Sequence, residues 1–96
     1  GGKQDANRHT ERSLYDFFDV NGDLLIDGAK LDVKAANGYK LNNNKNSFTI
    51  AKIEGNIEGE FKGLSEGDSV AKMETKNGEM KDLLISYENN EITLYT

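Results

Sequence analysis

The sequence predicts an all-β fold: a small antiparallel sandwich or barrel of about seven to eight short strands connected by hairpins. Three observations carry this prediction. The dipeptide Asn-Gly, which suits a tight hairpin turn, occurs three times. Segments of alternating apolar and polar residues flank these turns, at the spacing of a small β domain. The chain has 96 residues, enough for one domain, and its hydrophobic fraction of 35% favours a thin, two-layer core.

The polar segment 1–13 predicts a flexible tail or tether, so that residues 14–96 form the single β domain. A short helix from Asp5 to about Phe18 is the alternative. Asp5 suits an N-cap, and the apolar residues near the end of this segment have the spacing of one helix face. The sequence leaves both possibilities open.

Each Asn-Gly turn predicts a pair of strands, because Gly adopts positive φ freely and Asn tolerates it. Further turns are predicted at Ser65–Asp68 and at Glu88–Asn90, the latter before a strand over 91–96. The predicted pairs are 14–20 with 23–27 across Asn21-Gly22, 31–35 with 39–41 across Asn37-Gly38, and 70–76 with 79–87 across Asn77-Gly78.

The segment from Ile53 to Gly63 alternates strictly between charged or polar residues and a face of large apolar residues and glycine. A hairpin at Gly55-Asn56, between strands 47–53 and 57–62, is the favoured interpretation. The alternative is one long strand whose glycines mark bends or close approaches of the backbone. The alternation changes phase near Ala51-Lys52, which predicts a β-bulge there.

Charge and composition exclude several function classes. The net charge is −5 and no basic stripe is present, so we expect neither nucleic acid nor an anionic membrane surface as a partner. The absence of cysteine excludes disulfides, thiolate catalysis and zinc–thiolate sites. No apolar run approaches the length of a membrane span, so membrane insertion is not expected.

The segment from Asp19 to Asp27 resembles the first nine positions of the calcium loop of EF-hand and dockerin proteins. The resemblance implies a calcium site, to which Asp16 and Asp32 could add carboxylates. It departs from the pattern at position 6, where Leu24 replaces glycine, and at position 12, where Lys30 replaces an acid. A hairpin without metal is the competing prediction. The implied metal ligands are Asp19, Asn21, Asp23 and Asp27.

No catalytic arrangement is predicted, and we expect the protein not to be an enzyme. His9 is the single histidine and lies in the polar N-terminal segment, without partners for a triad or a zinc site. Glu54, Glu58 and Glu60 could supply paired carboxylates, but a row of acids alternating with apolar residues is typical of a solvated strand face.

The expected function is therefore a non-catalytic binding or interaction module, an accessory or surface domain of a bacterial extracytoplasmic protein with a protein or glycan partner. Tyr39, beside the polar loop 42–46, is the best candidate for an exposed ligand-binding ring. One alternative is a structural subunit of an assembly, of the virion or pilus type, whose edge strands pair between copies. The other is an adhesion domain stabilised by calcium.

Overall fold

The computed structural model describes residues 2–5, 10–13, 17–35 and 37–96, and these residues contain strands and turns but no helix. The prediction of an all-β fold is therefore confirmed, with ten strands in the described part where seven to eight were expected. The strands are β1 (Gly2–Asp5), β2 (Thr10–Ser13), β3 (Phe18–Val20), β4 (Gly22–Leu25), β5 (Leu31–Lys34), β6 (Ser47–Ile53), β7 (Ile57–Glu58), β8 (Ser69–Glu74), β9 (Met80–Ser86) and β10 (Glu91–Tyr95).

The N-terminal half is a stack of parallel strands. β1, β4 and β7 form one sheet in that order, β2 pairs with β5, and β3 pairs with β6, all in parallel. Leu41 adds a parallel bridge to Thr75. The chain therefore passes the same sheets repeatedly in the same direction. We call the successive passes the first coil (β1 and β2), the second coil (β3 to Leu41) and the third coil (residues 51–75).

The C-terminal half is antiparallel. β8, β9 and β10 are joined in chain order and continue through β6 into a five-stranded sheet, β3-β6-β10-β9-β8. The turn at Asn77-Gly78 connects β8 with β9, and the turn at Asn89-Asn90 connects β9 with β10. Both residues of the latter have positive φ, 60° and 57°. The hairpins predicted at these two turns are confirmed.

The hairpins predicted at the other two Asn-Gly dipeptides are wrong. β3 and β4 flank Asn21-Gly22 but lie in different sheets, so the dipeptide forms a corner of the second coil. After Asn37-Gly38 the chain reaches Leu41, which pairs with Thr75 and not with β5. At Asn21-Gly22 and Asn77-Gly78 only the glycine has positive φ, so neither has the paired left-handed geometry of a type I′ turn. Pairing between coils, which is remote in sequence, decides where each strand goes.

The hairpin predicted at Gly55-Asn56 is also wrong, because β6 and β7 lie in different sheets. The close backbone approach considered for the glycines is found instead. A Cβ at Gly55 would collide with Asp23 Oδ1 and lie 2.7 Å from the carbonyl oxygen of Gly22. The predicted β-bulge is confirmed: the register between β10 and β6 shifts at Ile50, so that Ile50 and Ala51 are both buried.

The alternative of a helix from Asp5 to Phe18 is wrong for the described residues, since Asp5 ends β1, Thr10–Ser13 form β2 and Phe18 begins β3. The described parts of the predicted tail thus pair with the second coil. His9 and Asp16 lie outside the described residues, as do residues 14 and 15. The boundary placed at residue 14 stays a prediction.

One hydrophobic core joins the two halves. Val20 and Leu24 of the second coil stand beside Ile53 and Ile57 of the third coil in the parallel register. Burying an aliphatic side chain of this size stabilises a fold by about 1.5–3 kcal/mol. The buried apolar residues of the cluster are Val20, Leu24, Ile26, Ala29, Leu31, Ile50, Ala51, Ile53, Phe61, Leu83, Ile85, Ile92 and Leu94.

Candidate functional site

The residues of the calcium-loop resemblance do not form one loop. Asp19 is exposed on β3, Asn21 is exposed at the corner, Asp23 is half-buried on β4, and Asp27 lies exposed in the following turn with φ of 49°. An extended strand within the motif spreads ligands that an EF-hand loop folds around one cation. The described residues hold no group of three or more histidine, cysteine or acidic side chains arranged for a metal ion. The calcium site stays a prediction.

Asp23 has a structural contact of its own. Its Oδ1 accepts a hydrogen bond from the backbone N–H of Asn56 at 2.7 Å, and Gly55 N–H donates to the carbonyl oxygen of Gly22 at 2.7 Å. The second and third coils are thereby joined at their corners. Gly2 pairs with Gly22 on the other side, so that glycines stand in register in all three coils.

An open depression of about 560 Å³ lies beside this corner, lined by side chains from two neighbouring coils. Asp19 stands next to Lys52 in the parallel register, and Glu54 follows on the same coil. The lining carries both signs of charge and neither an aromatic nor a histidine side chain. The lining residues are Asp19, Val20, Asn21, Lys52, Ile53 and Glu54.

Tyr39, predicted as an exposed ring, is half-buried. Its ring meets that of Phe48 edge to face, with centroids 6.3 Å apart and an interplanar angle of 69°. This is a packing geometry of aromatic side chains at a core boundary. The expectation of an exposed ring is therefore wrong, and a role in ligand binding stays a prediction.

The two ends of the stack differ, and the C-terminal segment covers one of them. We call this the closed end. β10 pairs with β6, whose last residues begin the third coil. Beyond that strand pair, Ile53 N–H donates to the carbonyl oxygen of Asn90 at 2.8 Å, and the side-chain amide of Asn90 donates to the carbonyl oxygen of Gly55. Two backbone groups of the third coil, the N–H of Ile53 and the carbonyl of Gly55, are satisfied in this way.

Tyr87 covers a further part of this end. Its hydroxyl accepts the N–H of Phe61 at 3.0 Å and donates to the carbonyl oxygen of Leu64 at 2.7 Å. Burial raises the pKa of Tyr87 to about 12, which keeps the hydroxyl protonated as a donor. The Tyr87 N–H donates to Glu66 Oε1 at 2.7 Å, and this bond lowers the pKa of Glu66.

The other end, which we call the open end, presents the outer edges of β1, β2 and β3. In the part of the chain that the structure describes, no strand pairs with these edges. Val20 accepts the N–H of Glu54 through its carbonyl oxygen at 2.9 Å, so the backbone groups of Val20 face β6. Those of Asp19, one residue earlier, therefore face outward. Phe17, directly before β3, is 52% exposed.

The sequence contained one signal for this stack that hairpin reasoning passed over. The segments Val20–Leu24 and Ile53–Ile57 share one pattern: a large aliphatic residue at each end and glycine in the middle. The structure aligns the two segments in register. A search for repeats at this spacing would have paired the two corners before any turn was assigned.

Comparison of the chain with protein-family models, with curated proteins and with solved structures gives no match. Within the described ranges there is also no helix with the length and hydropathy of a membrane span.

Proposed function

We propose that the chain is a non-catalytic interaction module, a structural subunit whose copies pair through the open end. The observation that supports this proposal is the contrast between the two ends of one β-stack. At the closed end, Asn90 hydrogen-bonds backbone groups of Ile53 and Gly55, and Tyr87 hydrogen-bonds those of Phe61 and Leu64. On this side β7 is the far edge of its sheet, with no strand beyond it in the described part. At the open end, the outer edges of β1, β2 and β3 are the ends of their sheets in the described part.

Such edges bind extended strands readily. Each outward N–H and C=O is a site for a main-chain hydrogen bond to another strand, which is the basis of β-strand addition. The exposed ring of Phe17 lies beside the Asp19 edge and supplies apolar surface that pairing would bury. Backbone bonds and an aromatic side chain are thus available on the same side of the molecule.

The occupant we propose is a second copy of the chain. The closed end offers a second copy less free strand edge, because β10 and residues 87–90 cover part of the third coil there. Two copies therefore meet open end to open end. Both surfaces are then the same, and the contact closes after two subunits, so that a dimer forms and no filament grows.

Light scattering coupled to size exclusion tests the proposal over a dilution series from about 100 µM to about 1 µM, the range in which weak and moderate affinities are resolved. We expect a reversible dimer at the upper concentrations. A monomer throughout the series would overturn the proposal. The same result is expected if the open end binds only a parallel strand from a different polypeptide. A molar mass that continues to rise above that of a dimer as the concentration increases would overturn the closed, two-subunit geometry.

Asp19→Pro tests the edge itself. Proline removes the outward N–H of residue 19 and leaves the groups of Val20 that face β6 in place. We expect the dimer to be lost in this variant and kept in Asp19→Asn, which changes the charge but retains the N–H. Phe17→Ser removes the exposed ring without altering the backbone, and we expect it to weaken the dimer as well. A dimer unchanged by both Asp19→Pro and Phe17→Ser would exclude the open end as the interface.

A further inference from the structure

The three Asn-Gly dipeptides offer the same reactive pair in different surroundings. In such a pair the backbone nitrogen of glycine can attack the side-chain amide carbon of asparagine, because glycine has no side chain to hinder the approach. Asparagine is a thermolabile residue for this reason. Whether the attack occurs in a folded protein depends on the freedom of the carboxamide and of the glycine N–H.

We propose that Asn37 is a site of spontaneous chemical modification and that the fold withholds the same reaction from Asn77. The Gly38 nitrogen loses its proton to solvent base and forms a bond to Cγ of Asn37. The bond from Cγ to the amide nitrogen breaks, and ammonia leaves. Water then opens the resulting cyclic imide, giving aspartate or, when the backbone carbonyl is attacked, isoaspartate.

Asn37 meets both requirements. It and Gly38 are exposed in a turn, and nothing lies within 4 Å of the position that a Cβ on Gly38 would occupy. Among the described residues, no hydrogen bond holds the carboxamide of Asn37 or the N–H of Gly38. Rotation of the side chain toward the glycine nitrogen therefore breaks no hydrogen bond to the described residues.

Asn77 is held away from the reaction by four hydrogen bonds around its turn. Its Oδ1 accepts from Thr75 Oγ1 at 2.5 Å and from the N–H of Glu79 at 3.2 Å. Its own N–H donates to Asn43 Oδ1 at 2.9 Å. The attacking group, Gly78 N–H, donates to the carbonyl oxygen of Thr75 at 3.0 Å. The carboxamide and the nucleophile must both break these bonds before they can meet.

Peptide mapping by mass spectrometry, with detection of isoaspartate, measures the reaction after incubation in warm, mildly alkaline buffer. We expect Asn37 to convert faster than Asn77 by on the order of tenfold or more. The reason is that breaking two or three hydrogen bonds at Asn77 adds to the activation free energy of its reaction. The same chain in urea is the control. Without the fold the two rates should become similar, since both asparagines precede glycine. Equal rates in the folded protein, or an equal difference in urea, would overturn the proposal.

Two substitutions separate the causes. Thr75→Val keeps the shape of the buried residue and removes the hydroxyl that Asn77 accepts from, so we expect Asn77 to react faster and Asn37 to keep its rate. Gly38→Ala hinders the approach to Cγ and should slow Asn37 alone. Unchanged rates at Asn77 in the first variant and at Asn37 in the second would contradict the proposed mechanism.

Discussion

The two halves of this domain use the same short strands in opposite ways. In the C-terminal half, β8, β9 and β10 pair with the next strand along the chain through turns of a few residues. In the N-terminal half, each parallel pair joins residues from different coils, as Gly2 with Gly22 and Leu24 with Ile57. Local turns therefore determine the first arrangement, whereas packing between distant segments determines the second. The same turn residues therefore serve as hairpins or as corners, according to where the flanking strands are buried.

The largest effect that tests this comparison is expected in β10, which links the halves. Leu94 is buried and pairs with Phe48 of β6 and Ile85 of β9. We expect Leu94→Ala to lower the free energy of unfolding by about 2–5 kcal/mol. Met80→Ala, at a side chain 60% exposed, should change it by less than about 0.5 kcal/mol. Urea denaturation measures both values.

Hydrogen exchange in Leu94→Ala then shows whether the halves unfold together. The N–H of Leu24 donates to the carbonyl oxygen of Asn56 at 2.9 Å, within the parallel coils. If the coils depend on the antiparallel sheet, protection of this amide falls by the same free energy as the global stability. Unaltered protection at Leu24 would mean that the coils are an independent unit.

The next effect probes the corner between the second and third coils. Gly55→Ala places a methyl group against Asp23 Oδ1 and the backbone of Gly22, and we expect a loss of about 2–3 kcal/mol, since backbone must shift to admit it. Gly67→Ala is the matched control. A Cβ at Gly67 has open space around it but positive φ of 85°, so a loss of about 1 kcal/mol is expected. Thermal unfolding compares the two, and equal losses would show that the coils tolerate a wider corner.

A third, smaller effect tests the closed end. Tyr87→Phe removes the hydroxyl between Phe61 N–H and Leu64 O and leaves two backbone groups without their partner. The expected loss in the free energy of unfolding is about 1–3 kcal/mol. Tyr95→Phe removes a hydroxyl that contacts no hydrogen-bond partner among the described residues, and it should be close to neutral. Similar values for both variants would argue against Tyr87 as the residue that closes the third coil.

The same contrast explains what the sequence could predict. Alternation of side chains and the density of turn residues depend on a few neighbouring residues. They correctly predicted an all-β fold, the turns at Asn77-Gly78 and Asn89-Asn90, and a bulge near Ala51-Lys52, which the structure places at Ile50. Which strand a given strand pairs with, by contrast, is not determined by the residues next to it in sequence. β3 and β4 carry the pattern of a hairpin, yet each pairs instead with a strand of the next pass of the chain, β6 or β7.

The two candidate sites also differ in whether local sequence could predict them. The spacing of Asp19, Asn21 and Asp23 resembles a metal loop, but the structure places these residues on β3, at a corner and on β4, and the calcium site stays a prediction. The open end could not be predicted from side-chain chemistry, because it consists of backbone groups. It becomes visible once the order of strands in each sheet is known.

The smallest expected effect concerns pH and the bond from Tyr87 N–H to Glu66. This bond lowers the pKa of Glu66 from the ordinary value of 4.5, so the unfolded chain binds the proton more readily than the folded protein does. The stabilisation is therefore fully present above pH 4.5 and is lost as the pH falls through the lowered pKa of the folded state. Glu66 is exposed, which keeps the effect small because solvent screens the charge. At neutral pH we expect the melting temperature of Glu66→Gln to lie slightly below that of the unaltered protein. In acid we expect the two melting temperatures to be the same. A difference in melting temperature that persists unchanged into acid would show that the carboxylate charge has no part in fixing the closed end.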